Sequence, residues 1–126
     1  MTPDPIQLTA GLNQNCQLFR GEDKAINVTM TGYDPATAME LQWWLAKSAW
    51  SLDTEPDEVL IKKSLTEGIA VTGSDVTITV DAIDTVAILP DLYYHELKIV
   101  QADGTIKVAM AGNIVIRMAL KMETTL

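Results

Sequence analysis

The chain is poor in the residues that carry most enzyme chemistry. Its 126 residues hold one histidine, His95, and one cysteine, Cys16. A lone cysteine excludes an intrachain disulfide, and free cysteines usually serve as small buried apolar side chains. One Cys and one His are too few for a zinc site of thiolate and imidazole ligands. Lysine and arginine number 9 against 17 aspartates and glutamates, a formal net charge of −8. Nucleic acid and anionic membranes are bound through clustered Lys and Arg, so neither is expected as a partner, whereas a basic protein is compatible. No apolar run approaches the roughly 18 residues of a membrane span. The opening Met1-Thr2-Pro3-Asp4-Pro5 lacks the basic and apolar regions of a secretory signal, so synthesis in a cytoplasm is expected. Asn27-Val28-Thr29 is accordingly not read as a glycosylation site. No Gly-x-x-x-x-Gly-Lys loop for phosphate occurs, and Gly73 and Gly104 fall in hairpin signals.

What is present is alternation. Hydrophobic residues make up 48% of the chain, enough for one domain to bury a core. In Asp91–Ala102, Tyr93, His95, Leu97 and Ile99 share one face, and Tyr94, Glu96 and Lys98 the other. This period of two marks a half-buried strand. Asp103-Gly104 signals a two-residue type I′ turn, and Ile106, Val108 and Met110 alternate in the return. A long central hairpin results. Strands are also expected at Asn15–Phe19, Ala25–Thr31, Glu58–Leu65, Gly68–Thr72, Asp75–Val80 and Ile114–Leu120, with a turn or bulge at Gly112-Asn113. Ala38–Ala46 alternates as a strand, although its Ala, Met, Glu, Leu and Gln also favour helix. Asp84 is placed to cap a helical turn over Val86–Leu89, which Pro90 ends. Residues 1–13, with Pro3, Pro5 and Gly11, read as a flexible arm with a possible edge strand at Ile6–Leu8. Residues 14–120 form the domain, and 121–126 a tail. The expected fold is all-β: an immunoglobulin-like antiparallel sandwich of seven to eight strands with one short helical turn near 85–89.

Within that frame Trp43, Tyr93, His95 and Leu97 are core residues, with Trp43 and Tyr93 as a packed pair. His95 cannot pair with Glu96, because strand neighbours face opposite sides. Nothing places a serine beside it for triad chemistry. The acidic stretch at Asp53, Glu55, Asp57 and Glu58 lacks the EF-hand pattern: Glu58 stands where the loop needs Gly, and Ser64 where it needs Glu. No metal and no cofactor are expected, and no enzyme activity. Trp44 faces away from the core, and outward aromatics favour interfaces. With Trp50 and the arm residues Ile6 and Leu8, it makes the candidate contact surface.

The order of features resembles a known family. Gly21-Glu22-Asp23 leads into an alternating strand. Gly68-Ile69-Ala70-Val71 precedes Thr77-Ile78-Thr79-Val80. Asp84-Thr85, Leu92-Tyr93-Tyr94-His95-Glu96-Leu97, the Gly104 hairpin and Gly112 follow. This is similar to the small immunoglobulin-like domain of tailed-bacteriophage structural proteins, such as the N-terminal domain of baseplate upper proteins. That domain often opens its penultimate strand with Gly-x-Tyr-x-Tyr, of which Gly and the second Tyr are missing here. The resemblance implies a non-enzymatic virion protein at the baseplate, neck or head surface. It would be made in the host bacterial cytoplasm and join other virion structural proteins as a homo-oligomer or symmetric assembly. The rival expectation is a stand-alone module that binds carbohydrate or a cell surface through Trp44 and Trp50.

Overall fold

A computed structural model describes residues 6–48 and 59–118. Among the described residues there are nine strands: β1 (Ile6–Thr9), β2 (Cys16–Phe19), β3 (Lys24–Thr29), β4 (Glu40–Ala46), β5 (Val59–Ser64), β6 (Ile69–Thr72), β7 (Asp75–Val80), β8 (Asp91–Val100) and β9 (Ile106–Arg117). A 3-10 turn covers Pro35–Thr37, and one helical turn, α1, covers Ala82–Thr85. The strands form a four-stranded sheet, β1-β3-β7-β6, and a five-stranded sheet, β2-β9-β8-β4-β5. The core lies between them. Ile26, Val28, Ile78 and Val80 from the first sheet and Leu41, Trp43, Leu45, Leu97 and Ile114 from the second are fully buried. Ala38–Ala46 settles as strand from Glu40, because alternation puts three large apolar side chains inside, and helix propensity yields to burial.

Several expectations are corrected. The sandwich is not wholly antiparallel: β1 runs parallel to β3, and β2 parallel to β9. Parallel neighbours need a crossover connection, and here the chain between β1 and β3 crosses to the other sheet to form β2. Residues 6–13 are not a free arm, since Ile6–Thr9 is paired along its length with β3. β9 pairs regularly through Gly112-Asn113, where a turn or bulge was expected, and its irregularity lies instead opposite Leu97–Lys98. The helical turn begins earlier than expected, at Ala82 rather than near 85. Asp84 lies inside it and accepts the Asp81 N–H at 2.7 Å. At the central hairpin only Gly104 takes positive φ, +89°. The Gly104 N–H donates to the Gln101 carbonyl, and the Gln101 N–H to the Thr105 carbonyl. This is a type I turn followed by a left-handed Gly, not a type I′ turn. The residues expected at 1–5, at 49–58 with Trp50, and at 119–126 lie outside the described residues.

Lys63 shows how one open side of the sandwich is closed. It stands on the edge strand β5 opposite Trp43, so its stem points inward. Its Nζ meets Asp84 Oδ2 at 2.8 Å. An inward-pointing charge on an edge strand also discourages pairing with a foreign strand.

Candidate functional site

The buried centre of the five-stranded sheet carries the chain's only histidine. β4 and β8 pair with Trp43 opposite Leu97 and Leu45 opposite His95. The Trp43 and His95 rings meet edge to face, with centroids 6.0 Å apart. Trp43 Nε1–H donates to His95 Nδ1 at 3.1 Å. Indole nitrogen is only a donor, so Nδ1 is the acceptor and the imidazole proton sits on Nε2. That N–H reaches the Gln14 carbonyl at 2.7 Å. The close approach of Gln14 is possible because Gly112 faces it: a Cβ there would lie 2.3 Å from the Gln14 oxygen. The expected Trp43–Tyr93 pair is thus replaced by Trp43–His95. Tyr93 is four residues along β8 from Leu97, the register partner of Trp43. It belongs to the same core, and its hydroxyl donates backward to the Leu89 carbonyl.

Burial lowers the His95 pKa to about 4, with the Gln14 hydrogen bond opposing that shift. Both ring nitrogens are engaged, so the ring is a structural strut with no atom offered to a substrate. Burial likewise pushes the Cys16 thiol up to about 12, far from a reactive thiolate. The His95 shift has a consequence for stability. An unfolded histidine binds its proton near pH 6.5, whereas folded His95 resists until about pH 4. The stabilisation is therefore fully present above pH 6.5 and is lost as pH falls from 6.5 to about 4. Its size is on the order of 3 kcal/mol. Urea midpoints measured from pH 7 down to 4.5 should fall, and His95→Phe should flatten that slope while lowering stability throughout. Identical slopes in the two proteins would exclude the linkage.

The outward face of the same sheet presents a different surface. Trp44 is half-buried, with Lys62 Nζ 5.1 Å and Lys98 Nζ 5.3 Å from its ring centre. One lysine comes from each flanking strand, since Lys62 stands directly opposite Trp44 on β5 and Lys98 is diagonal to it on β8. Cation–π contacts of this kind hold the indole at the surface. Glu96, opposite Trp44 on β8, lies 3.6 Å from Lys98. Leu92, exposed by 56%, and half-buried Val115 extend the apolar part of the face toward the start of β8. The outer face of the other sheet is polar and bonded to itself: Asn27 Nδ2 donates to Gln7 Oε1, and Thr29 Oγ1 to Asp75 Oδ1, both at 2.9 Å.

The expected contact residues therefore separate. Trp44 lies on the outer sheet face. Leu8 is 7% exposed and belongs to the core, and Ile6 packs against it. Both are drawn inside because β1 is a strand of the sheet. Sequence reasoning did not find Lys62, Lys98 or Leu92 as neighbours of this face. The outward parity of Lys98 and Leu92 along β8 was legible, but the strand order that brings Lys62 to Trp44 was not. Among the described residues no group of three or more His, Cys, Asp or Glu could hold a metal ion. A hollow of about 410 Å³ beside the β6–β7 turn has one carboxylate in its lining, Asp34. That side chain accepts the Ala36 N–H at 3.0 Å and serves as a local cap.

No family model matches the chain, and no curated protein matches it. Among solved structures, CopC from Methylosinus trichosporium OB3b superposes with a TM-score of 0.48 at 10% identity, over 86% of this chain and 88% of that one.

Proposed function

We propose that this chain is a non-enzymatic structural protein of a bacteriophage particle, at the baseplate, neck or head surface, acting through protein–protein contacts in a symmetric assembly. The observation that carries the contact reading is Trp44, held outward on a sheet face between Lys62 and Lys98. A large outward aromatic is the residue type enriched at interface centres, and lysines beside it suit the polar rim of such a contact. The two-sheet architecture agrees with what the family resemblance implies. The backward hydrogen bond of Tyr93 is of the kind common to immunoglobulin-like sandwiches in general. The virion setting itself rests on the resemblance. A sugar platform is less favoured, because a stacked sugar would have to displace the lysines over the Trp44 ring.

Mass spectrometry of particles purified from the encoding phage should find this chain in stoichiometric amounts. Trp44→Ala should lower its incorporation several-fold while costing less than about 1 kcal/mol of stability, as for a partly exposed side chain. Absence from particles would remove the virion reading. Unchanged incorporation of the variant would remove Trp44 from the contact.

A further inference from the structure

We infer that the outer sheet face around Trp44 receives the α1 end of a second copy of this chain, in a head-to-tail contact. The inference rests on the reading of the Trp44 face as a contact surface, and it names the occupant. The end of the sandwich at α1 exposes Ile83 by 76%, Val86 by 46% and Leu89 by 74%. Apolar side chains this exposed and this close in sequence are a marker of association. Carboxylates fringe them. Asp23 Oδ1 accepts the Ala82 N–H at 2.7 Å, Glu22 is its chain neighbour, Asp81 caps α1, and Asp84 lies within it. Fewer cations stand among them: Lys63 is paired with Asp84, and Arg20 Nε donates to the Val86 carbonyl. Lys24 follows Asp23 in the chain.

The sheet face has the opposite balance. Its apolar part, Trp44, Leu92 and Val115, is fringed by Lys62, Lys98 and Arg117 against Glu40 and Glu96. Glu40 is turned to the backbone, accepting the Leu41 and Leu65 N–H groups at 2.9 Å. Among the described residues three cations stand here against two carboxylates, on a chain where 17 acidic residues outnumber 9 basic ones. Placing this face on its own copy would bring lysines against lysines. Placing it on the α1 end of a neighbour joins apolar to apolar and cations to carboxylates. Such a heterologous contact repeats from copy to copy, and it closes into a ring or runs on as a filament.

The test uses the full chain and two surface variants, Lys62→Glu/Lys98→Glu on the sheet face and Ile83→Asp/Leu89→Asp at the α1 end. In sedimentation equilibrium at low salt, the unaltered chain should form oligomers larger than dimers, and each variant alone should be monomeric. Each variant keeps one intact surface, so a mixture of the two should form one-to-one dimers and nothing larger. Association of the unaltered chain should weaken at least tenfold in high salt. A chain that stays monomeric at all concentrations overturns the inference, as does an α1-end variant that still dimerises alone or a mixture that does not pair. A monomeric chain whose Trp44→Ala variant still fails to enter particles would overturn this inference alone and leave the contact reading in place.

Discussion

Trp43→Ala should be the most damaging single substitution in the protein. The side chain is fully buried. Removing a large aromatic from a core costs about 3–5 kcal/mol. The change also leaves His95 Nδ1 without its donor in a site closed to water, which costs roughly 1–3 kcal/mol more. The expected loss of about 4–8 kcal/mol is a large share of the 5–15 kcal/mol that holds a domain of this size together. Trp43→Phe divides the two contributions, since it keeps most of the packing and loses only the N–H. Urea unfolding should place Trp43→Ala far below the parent, with Trp43→Phe between them. If Trp43→Ala lost less than about 1 kcal/mol, or no more than Trp44→Ala, the inward assignment of Trp43 would be wrong.

A chain lacking residues 2–13 should also be badly destabilised. Reading residues 1–13 as an arm leads to the opposite expectation, that this truncation melts like the full chain. The structure reverses it. β1 contributes Leu8 to the core and packs Ile6 against it. Gly11 donates its N–H to the Ala109 carbonyl at 2.8 Å and accepts the Ala111 N–H at 3.0 Å, so the segment also lines the edge of β9. Loss of one buried leucine and one half-buried isoleucine amounts to roughly 4–6 kcal/mol. Circular dichroism melts should show a fall well beyond about ten degrees, given the usual conversion for a domain of this length. A melting point within about two degrees of the parent would return these residues to the status of a tail.

Most strands were legible where one side is buried and the other wet, but not the start of β9, where a register irregularity opposite Leu97–Lys98 turns Ile106 and Val108 outward while Met110 stays buried. β7 lies at Asp75–Val80 as read, and the faces of β3, β4 and β8 follow the alternation of their apolar residues. What failed depends on contacts distant in sequence. The first thirteen residues are rich in Pro and Gly, and nothing local shows that Leu8 finds a pocket against β3. The Trp43–His95 bond joins residues 52 apart, and it depends on register, which alternation alone does not set. Gly112 looked like a turn residue, because a glycine kept small for the close passage of Gln14 has the same sequence signature as one kept for its φ. The helical turn was misplaced because Asp81 and Asp84 both qualify as caps. The Trp44 face was legible as to side but not as to neighbours.

The pairing of β2 with β9 has a consequence for how the chain acquires its fold. The Asn113 N–H bonds to the side chain of Asn15, 98 residues earlier, and Cys16 stands beside Ile114. As the polypeptide leaves the ribosome, the segment that makes β2 has no partner until about a hundred further residues have followed. The β8–β9 hairpin, whose contacts are local, is free to zip first, and the N-terminal strands then settle against a preformed edge. Closing so large a loop is entropically expensive, which places this sandwich among slowly folding topologies. For that interval the unpaired rim of β9 is open, and it is the part of the nascent molecule most exposed to misassembly with other chains.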